Sequence, residues 1–225
     1  MDRGKRRLFR RGCFNIFASD AETNFRAIAA NDPDHSSLEA IYAFHVIHGG
    51  REGGHQKQIV EIFYGNRPYD AVVELEYKPT PRLQRRLLAE SGASLIYERV
   101  DNGSALVTLM PAKSERFSRR EEMVLLSKIY HTETLTGIGT LERHWRIFSS
   151  YMEYTSLDGL PNLADRIRVW WILGTRILIV DGKEQPRLIA RWALEIVKFS
   201  LTVGLAGFLL EIIRYFGGPP PAAPC

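Results

Sequence analysis

Ser94-Leu-Ile-Tyr-Glu-Arg-Val100 and Ser104-Ala-Leu-Val-Thr-Leu-Met110 stand on either side of Asp101-Asn102-Gly103. Both flanks are rich in β-branched and aromatic residues, and Asn-Gly supplies the positive φ angles that a tight hairpin turn needs. This hairpin makes the first half of the chain antiparallel β.

Working towards the N-terminus, Ala40–Ile47 and Gln58–Tyr64 read as two more strands, separated by the glycine loop Gly49-Gly-Arg-Glu-Gly-Gly54. Ala71–Tyr77 reads as a further strand after the turn Gly65-Asn-Arg-Pro68. Thr80-Pro81 has the chemistry of a helix start, and Leu83, Leu87 and Leu88 carry that expected helix to Gly92. Residues 1–37 show no strong period.

Working towards the C-terminus, the period changes after Pro111. Ser118-Arg-Arg-Glu121 has capping-box spacing and predicts a helix with Met123, Leu126 and Ile129 on one face. Leu141, Trp145, Phe148 and Met152 form a second helical stripe. Asn162 with Asp165 opens a third helix, through Val169, Trp170, Trp171 and Ile172 and on to Ile177–Val180. A final helix is expected from Leu188 to Phe216, ended by the tail Gly217-Gly-Pro-Pro-Pro-Ala-Ala-Pro-Cys225.

The expected fold is therefore α+β. A small antiparallel sheet of hairpins with one helix is followed by a helical half ending in a transmembrane helix. The expected segments are a basic arm at 1–37, an α+β hairpin module at 38–112, a helical region at 113–186, an apolar helix at 187–216 and a tail at 217–225.

With 45% hydrophobic and 25% charged residues, the chain of 225 residues is too apolar to be disordered throughout. Its net charge of +4 is uneven. Arg3, Lys5, Arg6, Arg7, Arg10 and Arg11 against Asp2 leave +5 in the first eleven residues and −1 in the rest. Such an arm suits anionic lipid or nucleic acid phosphates. The apolar run after it is too short, and too interrupted by Asn15 and Asp20, for a cleaved signal. Two cysteines, Cys13 and Cys225, make a poor staple and suit the reducing cytosol.

The stretch Phe199–Phe216 decides where the protein works. Between Lys198 and Glu211 lie twelve residues without charge, about 18 Å of helix against a hydrocarbon core of about 30 Å. That length fits a buried soluble helix. The spanning reading needs Glu211 to pair with Arg214, which lies at i+3. Apolar side chains cover every direction from Phe199 to Leu210, which favours lipid over the polar stripe of a soluble surface helix. Ser200 and Gly204 have the small-xxx-small spacing of associating membrane helices. The expected membrane helix comprises Phe199, Ser200, Gly204, Gly207, Phe208, Leu210, Glu211 and Arg214. Lys183, Arg187, Arg191 and Lys198 before it predict an inside N-terminus. Trp170, Trp171 and Trp192 are the candidate interfacial residues, with two buried tryptophans in a core helix as the competing reading for the first pair.

Two clusters invite chemistry. Asp70, Glu76 and Lys78 stand as Asp-x5-Glu-x-Lys, and two acids with a lysine hold Mg²⁺ in phosphodiester-cleaving nucleases. The spacing is short for such a site, and a solvated strand face explains it equally well. His45, His48 and His55 surround the glycine loop, but His45 and His48 fall on opposite strand faces, so a zinc site is not expected. No cofactor is expected apart from Mg²⁺ in the nuclease reading. The function expected is that of a bacterial membrane-associated interaction or accessory protein. Its cytosolic domain sits at the inner membrane, with lipid as partner and self-association through the last helix. The alternative is a soluble metal-dependent enzyme acting on nucleic acid.

Overall fold

The computed structural model describes residues 2–51, 53, 55–77 and 81–185. The expected helix at 187–216, with Trp192, Glu211 and Arg214, lies outside the described residues, as do the tail and Lys78.

The described chain is α+β. Helices α1 (Arg3–Ala30) and α2 (His35–Tyr42) precede strands β1 (Phe44–Gly49), β2 (His55–Tyr64), β3 (Asn66–Tyr77), β4 (Pro81–Ser91), β5 (Ser94–Arg99), β6 (Ala105–Met110), β7 (Lys113–Ser114) and β8 (Met123–Ile129). A short 3-10 turn (Thr132–Thr136), α3 (Ile138–Thr155), α4 (Leu163–Thr175), β9 (Ile177–Val180) and β10 (Lys183–Gln185) complete it. A seven-stranded antiparallel sheet runs in the order β1-β2-β5-β6-β8-β9-β10, and β3, β4 and β7 form a second sheet.

The Asn-Gly hairpin is the centre of the large sheet. β5 and β6 pair from Ser94↔Met110 to Arg99↔Ala105. Gly103 takes a φ of 83°, and a Cβ there would come within 3.0 Å of the Arg7 carbonyl oxygen. The turn therefore needs glycine twice, for its backbone angle and for the approach of α1.

Several expected elements change type. Residues 3–30 form a 28-residue helix instead of an aperiodic arm. Phe14, Phe17, Ala18, Ala21, Phe25, Ile28 and Ala29 make one buried stripe at helical spacing, which the exposed Leu8, Phe9 and Ile16 obscure in the sequence. The expected strand at 40–47 starts at Phe44, because α2 runs to Tyr42 and Ala43 breaks the chain with a φ of 54°. The helix expected after Pro81 is strand β4, paired with β3 from Asn66↔Ser91 to Tyr77↔Pro81. Strand alternation places Leu83, Arg85 and Leu87 on one face, and cross-strand pairing overrides the local leucine spacing. The capping-box helix at 118–129 is replaced by β8, whose Val124 and Leu126 point inwards at period two. Residues 177–180 form β9 rather than the end of α4. The second half is thus not wholly helical, and the large sheet crosses the boundary expected at residue 112.

α1 and α3 cover one face of the large sheet. Phe17 and Phe25 meet Tyr97 of β5 at ring distances of 4.9 and 5.9 Å, and Phe148 of α3 stacks on Tyr64 of β2 at 5.6 Å. The expected stripe Leu141, Trp145, Phe148 and Met152 is fully buried there. β3 and β4 project as a ribbon with Val73, Leu75, Leu83 and Leu87 exposed. The ribbon's base is held by Glu90, 1% exposed, which accepts from Arg67 Nη2 and the Tyr42 hydroxyl at 2.7 Å and from the Leu157 N–H at 2.7 Å.

Candidate functional site

α4 packs on α3 through a polar bolt and an apolar inner face. The Asn162 side chain accepts the Asp165 N–H at 2.9 Å and the Asp165 carboxylate accepts the Asn162 N–H at 3.2 Å, the reciprocal capping box. Asp165 Oδ1 also accepts the Ser150 hydroxyl of α3 at 2.7 Å and Arg168 Nη1 at 3.0 Å. Val169 and Ile172 are buried beneath the helix.

The outer face of the same helix is apolar too. Leu163, Ile167, Trp170 and Trp171 recur at helical spacing, and all are exposed, with Leu160 of the preceding loop in line. Trp170 is 67% and Trp171 60% exposed, so the reading of two buried core tryptophans does not hold for this pair. By contrast, Trp145 of α3 is 3% exposed and donates its Nε1–H to Asp32 at 2.8 Å. A contiguous apolar face of this kind on a protein surface marks an interaction or membrane site more than a random surface does.

The chain leaves the described region at the same end of the molecule. Gln185, the last described residue, pairs with Leu178, three residues beyond the end of α4. The basic N-terminus lies at the Asn-Gly turn, while Gln185 is level, through Leu178 and Val124, with Leu109 at the far end of β6. β9 enters beside Leu125 of β8, four residues or about 13 Å before Ile129, which pairs with Ala105 just after the Asn-Gly turn. α1 is tied to that turn by Arg11 Nη2, which donates to the Asp101 carbonyl at 2.8 Å, and the Thr132 hydroxyl donates to the Arg10 carbonyl at 2.8 Å. The Asn-Gly turn therefore gathers the Arg3–Arg11 end of α1 with its exposed Leu8 and Phe9, and the exposed Tyr130 follows Ile129 there.

The other candidate residues are not brought together. Asp70 and Glu76 lie on the single strand β3, six residues or about 20 Å apart, too far for both to bind one Mg²⁺ ion. Asp70 Oδ2 accepts from Arg116 at 3.2 Å and its other oxygen from the Ala71 N–H at 2.7 Å. His45 stacks on Phe63 at 5.1 Å, and the His48 imidazole meets the Ala18 carbonyl. Among the described residues, no three His, Cys, Asp or Glu side chains group as metal ligands.

A cavity of about 560 Å³ lies under the glycine loop, lined by Arg51, Ile59, Glu61, Ile96, Met110 and Lys113. Arg51 closes its floor. Arg51 Nε donates to Glu61 at 2.7 Å, its Nη groups to the Ser91 and Ser94 hydroxyls, and its guanidinium lies 4.3 Å over the Phe63 ring. With acid and base spent on each other, this floor is a structural clamp rather than a general acid–base pair.

The buried titratable groups are structural as well. Burial, with the positive charges of Arg143 and Arg176, pushes the His144 imidazole down to about 4. It is therefore neutral near pH 7, and its Nδ1 shares a hydrogen bond with the Tyr97 hydroxyl, 2.8 Å away. Burial raises Tyr97 well above the usual phenol range. No sequence signal predicts this pair, because its partners are 47 residues apart. No known protein family, curated protein or solved structure matches the chain.

Proposed function

We propose that the protein is a membrane-associated interaction or accessory protein, its α+β domain held on the cytosolic side of the inner membrane. The observation that supports this most strongly is the outer face of α4. A helix already buried on one side carries a second apolar side with Leu163, Ile167, Trp170 and Trp171 in solvent. Tryptophans of this kind sit at the headgroup level, where an amphipathic ring has one apolar and one wet environment. The charge-free stretch Phe199–Leu210 follows Gln185 in the sequence, and Gln185 pairs with Leu178, three residues past the end of α4. Among the described residues no helix is long and apolar enough to cross a membrane; the role this reading gives α4 is to lie along the interface.

Carbonate extraction and vesicle flotation of the full chain test this reading. Retention in the membrane pellet and flotation with phosphatidylcholine vesicles are expected. Recovery of the protein in the soluble fraction of both experiments contradicts it.

A further inference from the structure

The geometry points to a second lipid contact, at the Asn-Gly turn: the arginine cleft of α1 binds the phosphate groups of anionic lipids. The inference rests on the membrane reading and adds a lipid class to it. The cleft has a volume of about 650 Å³ and is lined by Arg3, Arg6, Arg7, Arg10, Asp101 and Asn102. Its lining holds four arginines and one aspartate. None of the ion pairs among the described residues uses Arg3, Lys5, Arg7 or Arg10. Arg99 adds a further positive charge beside Arg11, and its guanidinium is held below its ordinary range by burial and by Arg11. Like charges gathered on one helix repel, and a bound polyanion relieves that cost.

One feature selects lipid over nucleic acid. Leu8 and Phe9 stand exposed among the arginines. Apolar side chains interleaved with basic ones suit the boundary between headgroups and acyl chains, whereas a phosphate backbone offers them nothing to bury. The attraction of basic residues to an anionic surface is lost at high salt.

The test uses the full chain in a neutral detergent, with phosphatidylglycerol or phosphatidylcholine added to equal mole fraction, and follows the thermal unfolding midpoint. Phosphatidylglycerol at a hundredfold excess over its dissociation constant should raise the midpoint by about 5 °C or more, and phosphatidylcholine should not. Arg7→Gln/Arg10→Gln should weaken the response at least tenfold while leaving the lipid-free midpoint unchanged. Arg26→Gln/Arg146→Gln removes the same charge elsewhere and should respond like wild type. Equal responses to both lipids, or an unaltered response in the Arg7/Arg10 variant, overturn the inference. So does a short single-stranded oligonucleotide or inorganic phosphate that acts at a tenfold lower phosphate concentration than the lipid. A protein that resists carbonate but ignores phosphatidylglycerol loses this inference and keeps the membrane reading. A carbonate-soluble protein that still responds loses the membrane reading.

Discussion

α3 and α4 are adjacent, joined through Ser150 and Asp165, and each carries tryptophan. Their tryptophans have opposite surroundings. Trp145 is enclosed by Phe44 and Phe148 at 5.4 and 5.5 Å and bonded to Asp32, whereas Trp170 and Trp171 face solvent. A large apolar side chain in a core needs no further explanation, since burial itself stabilises the fold. The same side chain in solvent contributes little to folding, and its cost in solubility is offset only by what it binds. The contrast separates the helix that builds the fold from the helix offered for use.

Mutations can break that contrast. Trp145→Ala should cost the most, about 3–5 kcal/mol in urea unfolding, because it leaves a large cavity and strips Asp32 of a donor. Arg67→Met should cost nearly as much, about 3–5 kcal/mol, by leaving the Glu90 carboxylate buried without its cation.

Acid should act next, again through α3. The His144 value is about 4 in the fold against an ordinary 6.5, so the unfolded chain takes up a proton that the fold refuses. Stability is fully present above pH 6.5 and falls as the pH drops towards 4, by roughly 3 kcal/mol from this group. His144→Leu should flatten that slope, though it lowers stability at pH 7 by leaving the Tyr97 hydroxyl unpaired.

Asp165→Ala removes the cap of α4 and its bond to Ser150 and should cost about 1–2 kcal/mol in the same measurement. Trp170→Ser/Trp171→Ser should be the smallest, within about 0.5 kcal/mol of wild type. A loss of several kcal/mol there would move these tryptophans into the folding account.

The sequence carries the central hairpin and α3 almost to the residue, because each rests on local chemistry. Asn-Gly specifies its own turn, and Leu141, Trp145, Phe148 and Met152 specify one helix face. The cap at Asn162 and Asp165 is legible for the same reason. β4 and β8 are not, because leucines at positions 83, 87 and 88 and the Ser118–Glu121 spacing imitate helices. The partners that make them strands, β3 for one and β6 and β9 for the other, are set by tertiary pairing. α1 is missed differently. Its stripe from Phe14 to Ala29 has clean helical spacing, but the arginine-rich start and Leu8, Phe9 and Ile16 lie off it.

Of the candidate sites, the tryptophan pair is identified by sequence, but its exposure is not, since a helix with apolar residues on both faces reads equally well as fully buried. The docking of the basic end of α1 on the Asn-Gly turn rests on tertiary contacts, which composition does not contain. Asp70 and Glu76 of β3 show the reverse. Residues close in sequence are drawn apart by an extended strand.

The central claim is that the outer face of α4 enters the headgroup region. Tryptophan emission of the full chain in vesicles of brominated phosphatidylcholine reads this directly, because bromine quenches only indoles within contact range. Wild type should be quenched strongly, and Trp170→Phe/Trp171→Phe should lose most of that quenching while Trp145 and Trp192 remain. Equal fractional quenching in the two proteins would contradict the account.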